Sequence, residues 1–185
     1  MGSRAGLYHL LIGLAFTLTQ PGAIAFANWD APYGFYKDLS AWMASAGAFL
    51  LLVAAYGFIQ WRKGKLGPLH PLLAGILAIV TLAIGYWAEG LVGGNYGSSS
   101  VLFFIIGSFL GLILALMLFP VALLEAITGG LYHPYDRPLV VAWLVSVLIT
   151  LALLVPYLRS RHGKAKSFEN HPDGQERHDH SKGPL

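Results

Sequence analysis

The chain contains no cysteine, which excludes disulfides, thiolate metal sites, iron–sulfur clusters and thiol catalysis. Charge is almost as scarce. Asp, Glu, Lys and Arg make up 11% of the 185 residues, against about 25% in a soluble domain. Between Leu66 and Leu158 the only formally charged side chains are Glu89, Glu125, Asp136 and Arg137, each at or near the end of an apolar run. A charge at the centre of a bilayer costs on the order of 3 kcal/mol or more, and this distribution avoids that cost. No phosphate loop, serine nucleophile elbow or zincin helix occurs in the sequence, so no motif points to an enzyme.

Apolar side chains fill the space that charge leaves. Hydrophobic residues form 56% of the chain and the mean hydropathy is +0.60. Within residues 41–158, four apolar runs follow one another: Ala41 to Trp61, Leu69 to Val92, Val101 to Leu124 and Leu139 to Leu158. Each matches the roughly 20 residues that a helix needs to cross the hydrocarbon core. Their apolar residues surround the helix without forming a stripe, which argues for lipid or bundle burial and against a surface helix. Membrane strands are about ten residues long and alternate in polarity, and these runs do neither. Pro120 and Pro156 fall near run ends, where they kink a helix. The expected fold is all-α: a polytopic transmembrane helical bundle of four spans after an N-terminal signal-like or first transmembrane segment.

That first segment, residues 1–27, has Arg4, an apolar stretch from Leu7, Pro21 as a breaker and the small-residue pattern Ala25-Phe26-Ala27. This is the layout of a signal peptide cleaved after Ala27, with an uncleaved first span as the alternative. Residues 28–40 are aromatic and acidic, as in a segment lying at the headgroup interface. Residues 159–185 are polar and contain almost no aliphatic side chains, so a disordered tail is expected there.

Sidedness follows from counting crossings. If every apolar run crosses once, His9, the Arg62-Lys63-Lys65 loop, His70, Glu125, His133, Asp136 and Arg137 share one side. Asn28 to Asp38, Glu89, Asn95, Tyr96 and the tail share the other. The two basic clusters, Arg62 to Lys65 and Arg159 to Lys166, then fall on opposite sides, and one of them breaks the positive-inside rule. Because Arg4 agrees with the first cluster, the expectation is loop 62–68 in the cytoplasm of a prokaryotic inner membrane, with residues 28–40 and the tail outside.

Several side chains are candidates for chemistry. Gly67-Pro68-Leu69-His70-Pro71 and Gly130-Leu131-Tyr132-His133-Pro134 form a faint repeat leading into two of the spans. Paired imidazoles at equal depth would suit haem b or a metal; the plain reading is an interfacial His before a helix-starting Pro. Glu89 and Glu125 are candidates for ion or proton handling, or are acids snorkelling to water, and crossing parity puts them on opposite faces. Gly107, Gly111 and Ala115 recur every four residues as a helix-packing strip. His178-Asp179-His180 in the tail is a loose candidate metal site.

Three functions are compatible with these residues. The first is a non-catalytic subunit or assembly factor of a larger inner-membrane complex, such as a respiratory or other electron-transfer complex, whose partners are lipid and other membrane subunits and not nucleic acid. The second is a small transporter or ion-conducting protein using Glu89 or Glu125, which requires a cavity reaching one of them. The third is a haem-b electron carrier using His70 and His133.

Overall fold

The computed structural model describes residues 3–29, 34–93 and 101–169. Five long helices and one short turn of 3-10 helix account for nearly all of them: α1 Ser3–Ala27, α2 Phe35–Arg62, α3 Leu69–Gly93, α4 Val101–Thr128, the 3-10 turn Pro134–Asp136, and α5 Arg137–Glu169. No strand occurs among the described residues. The chain is an all-α helical bundle, and all five helices are long and apolar enough to cross a membrane, compatible with a multi-pass membrane protein.

Packing between the helices relies on small residues. Lipid tails are as apolar as leucine, so helices in a bilayer associate through close van der Waals contact rather than through expulsion of water. The fully buried positions accordingly include Ala15, Ala46, Ala48, Ala74, Ala78, Ala88 and Ala115. Gly47 of α2 takes the side chain of Leu82, and Gly57 takes the ring of Tyr8. Ala15, Leu50 and Ala78 join α1, α2 and α3 in one cluster, and Tyr8, Val53 and Ala74 join them in another. The order of these contacts makes α1, α2 and α3 successive antiparallel neighbours.

α1 lies at the centre, against α2 and α3 as well as α4 and α5. Pro21 does not break it: the proline is buried inside the helix, which continues to Ala27. A proline lacks an N–H, so the carbonyl four residues earlier loses its donor. That carbonyl belongs to Thr17, and the indole Nε1 of Trp143 in α5 donates to it at 3.0 Å. In an apolar solvent such a substitute donor is required. The indole of Trp42 donates to the Phe16 carbonyl from the other flank, at 3.2 Å.

α5 runs antiparallel to α1, with contacts from Gln20 to Gly6. Gln20 Nε2 donates to the Leu139 carbonyl at 2.7 Å, Thr17 Oγ1 lies 2.9 Å from Thr150 Oγ1, and Gly6 faces the ring of Tyr157. α4 behaves differently. Near its start, Phe104 packs on Tyr86 with ring centroids 5.3 Å apart, and Phe103 and Phe104 share a cavity with Phe26, Ala27, Lys37 and Glu89. Midway, the Ala115 backbone sits on Gly22. Near its end, Ala122 and Glu125 share a second cavity with Ala25, Asn28 and Trp29. Both ends of α4 therefore meet the end of the bundle marked by Asn28, and the helix lies obliquely across α1 and α2 instead of running alongside them.

This overturns the crossing parity. Glu125, His133 and Asp136 lie at the same end as Asn28, Asp38 and Glu89, here called the carboxylate end. Tyr157 lies against Gly6, which puts Arg159, two residues further along α5, at the end that holds Arg4 and, through Tyr8, Gly57 and His70, the Arg62 to Lys65 loop. The start of the tail is thus on the side of the first basic cluster and not opposite it. The conflict between the two basic clusters disappears because α4 makes no net passage from one end to the other.

Two segment boundaries also differ from expectation. The interfacial stretch 28–40 is interrupted at Phe35, where α2 begins, and Asp38 and Ser40 are buried; Trp29 is strongly exposed, at 78%, and Tyr36 is exposed as well. α5 continues to Glu169, so helix replaces the first part of the expected disordered tail. Residues 170–185, with His178 and His180, lie outside the described residues, as do Asn95 and Tyr96.

Two substitutions probe these contacts by thermal or denaturant unfolding in detergent. Trp143→Phe leaves the Thr17 carbonyl without a donor and is expected to destabilise the protein by about 1–3 kcal/mol. Gly22→Ala places a methyl group into the Ala115 carbonyl, and overpacking of this kind costs about 1–3 kcal/mol or more. An unchanged midpoint for both would show that α1 does not meet α4 and α5 in this way.

Candidate functional site

The polar side chains gather at the carboxylate end in two neighbouring groups. The first is a buried network linking α1, α2 and the α4–α5 connection. Tyr132 donates to Gln20 Oε1, and Gln20 in turn donates to the Leu139 carbonyl, so one buried carboxamide ties the connection to α1. His133 N–H donates to Asp136 Oδ2 at 3.0 Å, and Asp136 N–H returns a bond to the His133 carbonyl at 2.8 Å. Asn28 Nδ2 donates to Asp38 Oδ1 at 2.6 Å. Asp38 and Asp136 are 0% and 1% exposed and close enough for their charges to interact.

Each of these carboxyls keeps one oxygen, Asp38 Oδ2 and Asp136 Oδ1, buried and without a hydrogen-bond partner among the described residues; so does Asn28 Oδ1. Burial, and then the negative charges of Asp136 and Asp38, push the Tyr132 phenol above its ordinary value. Its hydroxyl therefore stays protonated and keeps its bond to Gln20 throughout the neutral range. Sequence reasoning named neither Asp38 nor Asp136 as a site residue. Asp38 sits in an aromatic stretch that reads as interfacial, and Asp136 reads as a charge at the end of an apolar run. No local pattern brings two carboxyls from positions so far apart together.

The second group lines an open cavity of about 430 Å³ between the ends of α1, α2, α3 and α4. Ser40, Ser45 and Ser108, three buried serines, line it together with Lys37 and Glu89, and Ser108 Oγ donates to the Phe104 carbonyl at 2.8 Å. Ser40 Oγ donates to Glu89 Oε2 at 2.8 Å. The small-residue strip of α4 divides its tasks here. Ala115 makes the tight contact with Gly22, Gly111 approaches Ser45 Oγ, and a side chain at Gly107 would meet no atom within 4 Å. Ala115 and Gly111 thus pack on helices of the same chain, while Gly107 leaves the cavity wall open.

Glu125 lines a separate cavity of about 220 Å³ with Asn28, Trp29 and Leu131. Glu89 and Glu125, expected on opposite faces, occupy the same end of the bundle because α4 returns to the end where it starts.

The two candidate histidines are not brought together. The His70 ring lies 5.3 Å from His9 and 5.8 Å from Tyr8, centroid to centroid, at the basic end. His133 stacks on Tyr135 at 4.8 Å at the carboxylate end. Equal depth for the two turns depended on α4 crossing fully, and it does not. His70 and His133 cannot share one iron, and the residues present do not fit a haem b held by this pair. Among the described residues no group of three or more His, Asp or Glu forms a metal site.

No protein-family model, curated protein or solved structure matches this chain.

The Asn28–Asp38 bond separates charge from hydrogen bonding as sources of stability. Asn28→Ala removes the donor to a buried carboxylate and is expected to cost about 1–3 kcal/mol. Asp38→Asn keeps an acceptor for Asn28 while removing the charge facing Asp136, and is expected to be neutral or stabilising. Unfolding midpoints in detergent at neutral pH check both, and a more damaging Asp38→Asn than Asn28→Ala would contradict the described pairing.

Proposed function

We propose that this chain is a small multi-pass membrane protein that admits a small solute or cation at its carboxylate end, with Glu89 as the binding carboxylate, as the first step of transport. The observation that carries this reading is the cavity of about 430 Å³ reaching Glu89. Glu89 is exposed near the end of α3 and borders an open cavity, where an ionisable side chain can meet a solute or ion arriving from water. A cavity of this size suits a small ligand. Ser40, Ser45 and Ser108 add polar groups to its lining, with the Ser40 hydroxyl bonded to Glu89, and a Cβ at Gly107 would meet no atom within 4 Å.

The alternative of a non-catalytic subunit of a larger complex has no observation specific to it. The exposed apolar faces of α3, α4 and α5 suit lipid as well as protein.

With Arg4, the Arg62 to Lys65 loop and Arg159 at one end, the positive-inside rule favours that end in the cytoplasm and the carboxylate end outside, in a prokaryotic inner membrane. α1 belongs to this arrangement as a retained first span: its side chains Tyr8, Ala15, Ala23 and Ile24 are part of the buried clusters, and removing residues 1–27 would leave Trp42, Leu50 and Leu139 without their packing partner.

A thermal-shift screen of the detergent-solubilised protein against small organic solutes and inorganic cations tests the proposal. A ligand at 100 times its Kd stabilises by about 2.7 kcal/mol. The stabilising ligand is expected to lose its effect in Gly107→Leu, which fills the cavity without touching Glu89, and in Glu89→Gln, while both variants unfold near the parent temperature without ligand. Stabilisation that persists in both variants, or no stabilisation by any compound, would contradict the proposal.

A further inference from the structure

At the basic end, His70 has a partner that its sequence context does not show. Its ring lies 5.3 Å from that of His9 in α1, centroid to centroid, with the two planes tilted by 37°. Aromatic pairs favour offset stacking or an edge-to-face approach, and this tilt is neither. The spacing fits a different arrangement. Two imidazoles on one tetrahedral ion, with metal–nitrogen bonds of about 2.0–2.1 Å, hold their ring centres about 5 Å apart, because each centre lies one ring radius behind its nitrogen.

The surroundings of both rings suit metal ligands. His70 Nδ1 lies 3.3 Å from the Gly67 carbonyl, and donating Nδ1–H to that carbonyl leaves the lone pair on Nε2, as in histidines whose ligating nitrogen is set by a second hydrogen bond. Tyr8 meets the same ring edge-on, at 5.8 Å and 82°, and holds it in place. His9 makes no hydrogen bond among the described residues, so its ring is uncommitted. Both rings are half-buried, packed enough to be fixed and open enough to admit an ion from water. Arg62, Lys63 and Lys65 at this end are exposed, and water and salt screen their charge.

We propose that His9 and His70 bind one divalent transition-metal ion of the imidazole-preferring class, zinc, copper or nickel, with water completing the coordination. The ion ties the start of α3 to α1, where Tyr8 and Ala74 already join the two helices. This site lies at the opposite end of the bundle from the cavity at Glu89 and does not depend on it.

The experiment titrates zinc into the full chain in mild detergent, with His162, His171, His178 and His180 changed to Gln so that the tail cannot compete. One zinc per chain is expected to bind and to raise the unfolding temperature. His9→Gln and His70→Gln should each weaken zinc binding about ten-fold or more, and the double variant little further, because a chelating pair is lost when either member goes. Unfolding temperatures without zinc report whether each variant folds. Pulsed EPR of the copper(II) complex reads the intact pair directly, with two coordinated imidazoles expected.

Zinc affinity unchanged in either single variant would overturn the proposal. So would losses that add fully in the double variant, a copper signal from a single imidazole, or no zinc binding below about 1 mM.

Discussion

The contact between the backbone of α4 at Ala115 and the bare Cα of Gly22 decides the shape of this molecule. A side chain at position 22 would collide with the Ala115 carbonyl, so only glycine lets the two helices approach this closely. At that distance α4 lies across α1 and α2 instead of standing beside them, and the remaining architecture follows. The α4–α5 connection returns to the Asn28 end, α5 runs antiparallel to α1, and the basic residues Arg4, Arg62, Lys63, Lys65 and Arg159 collect at the opposite end from Asp38, Glu89, Glu125 and Asp136. The two poles of charge are thus a consequence of a packing contact between uncharged atoms.

The same helix also builds the candidate site. α4 supplies the wall of the larger cavity with Gly107 and Gly111, and the wall of the smaller one with Ala122 and Glu125. Small residues serve two purposes on one face: close approach where a neighbour is present, and empty space where none is. The buried network of Gln20, Tyr132, Asn28, Asp38 and Asp136 fixes the turn after α4, so the C-terminal end of the oblique helix is anchored by polar bonds in apolar surroundings, where an unmade bond is expensive, and its start by the packing of Phe104 on Tyr86.

Hydropathy made much of this legible in advance. Spans of the right length were readable from the runs beginning at Ala41, Leu69, Val101 and Leu139, because helix length in lipid is set by bilayer thickness and composition alone. Direction was not readable in the same way: an apolar run carries no sign of whether its helix crosses or returns, and the contradiction between the two basic clusters was the only trace of the answer. Pro21 misled as a breaker because its rescue comes from Trp143, more than a hundred residues away. Glu89 was visible as an isolated acid in an apolar stretch, whereas Asp38 and Asp136 were hidden by polar and aromatic neighbours that gave each a local explanation. His70 and His133 shared a sequence context and nothing else, since a repeated turn fixes local backbone and not the end of the bundle at which it sits.

With no native cysteine, the disposition of the two ends is open to direct measurement by single-cysteine labelling with a membrane-impermeant thiol reagent in intact and permeabilised cells. Lys63→Cys and Arg159→Cys are expected to label from one face of the membrane, and Trp29→Cys and Tyr135→Cys from the other. Labelling of Tyr135→Cys from the same face as Lys63→Cys, with Arg159→Cys opposite, would mean that α4 crosses like its neighbours, and would contradict the oblique helix on which the site and the charge poles depend.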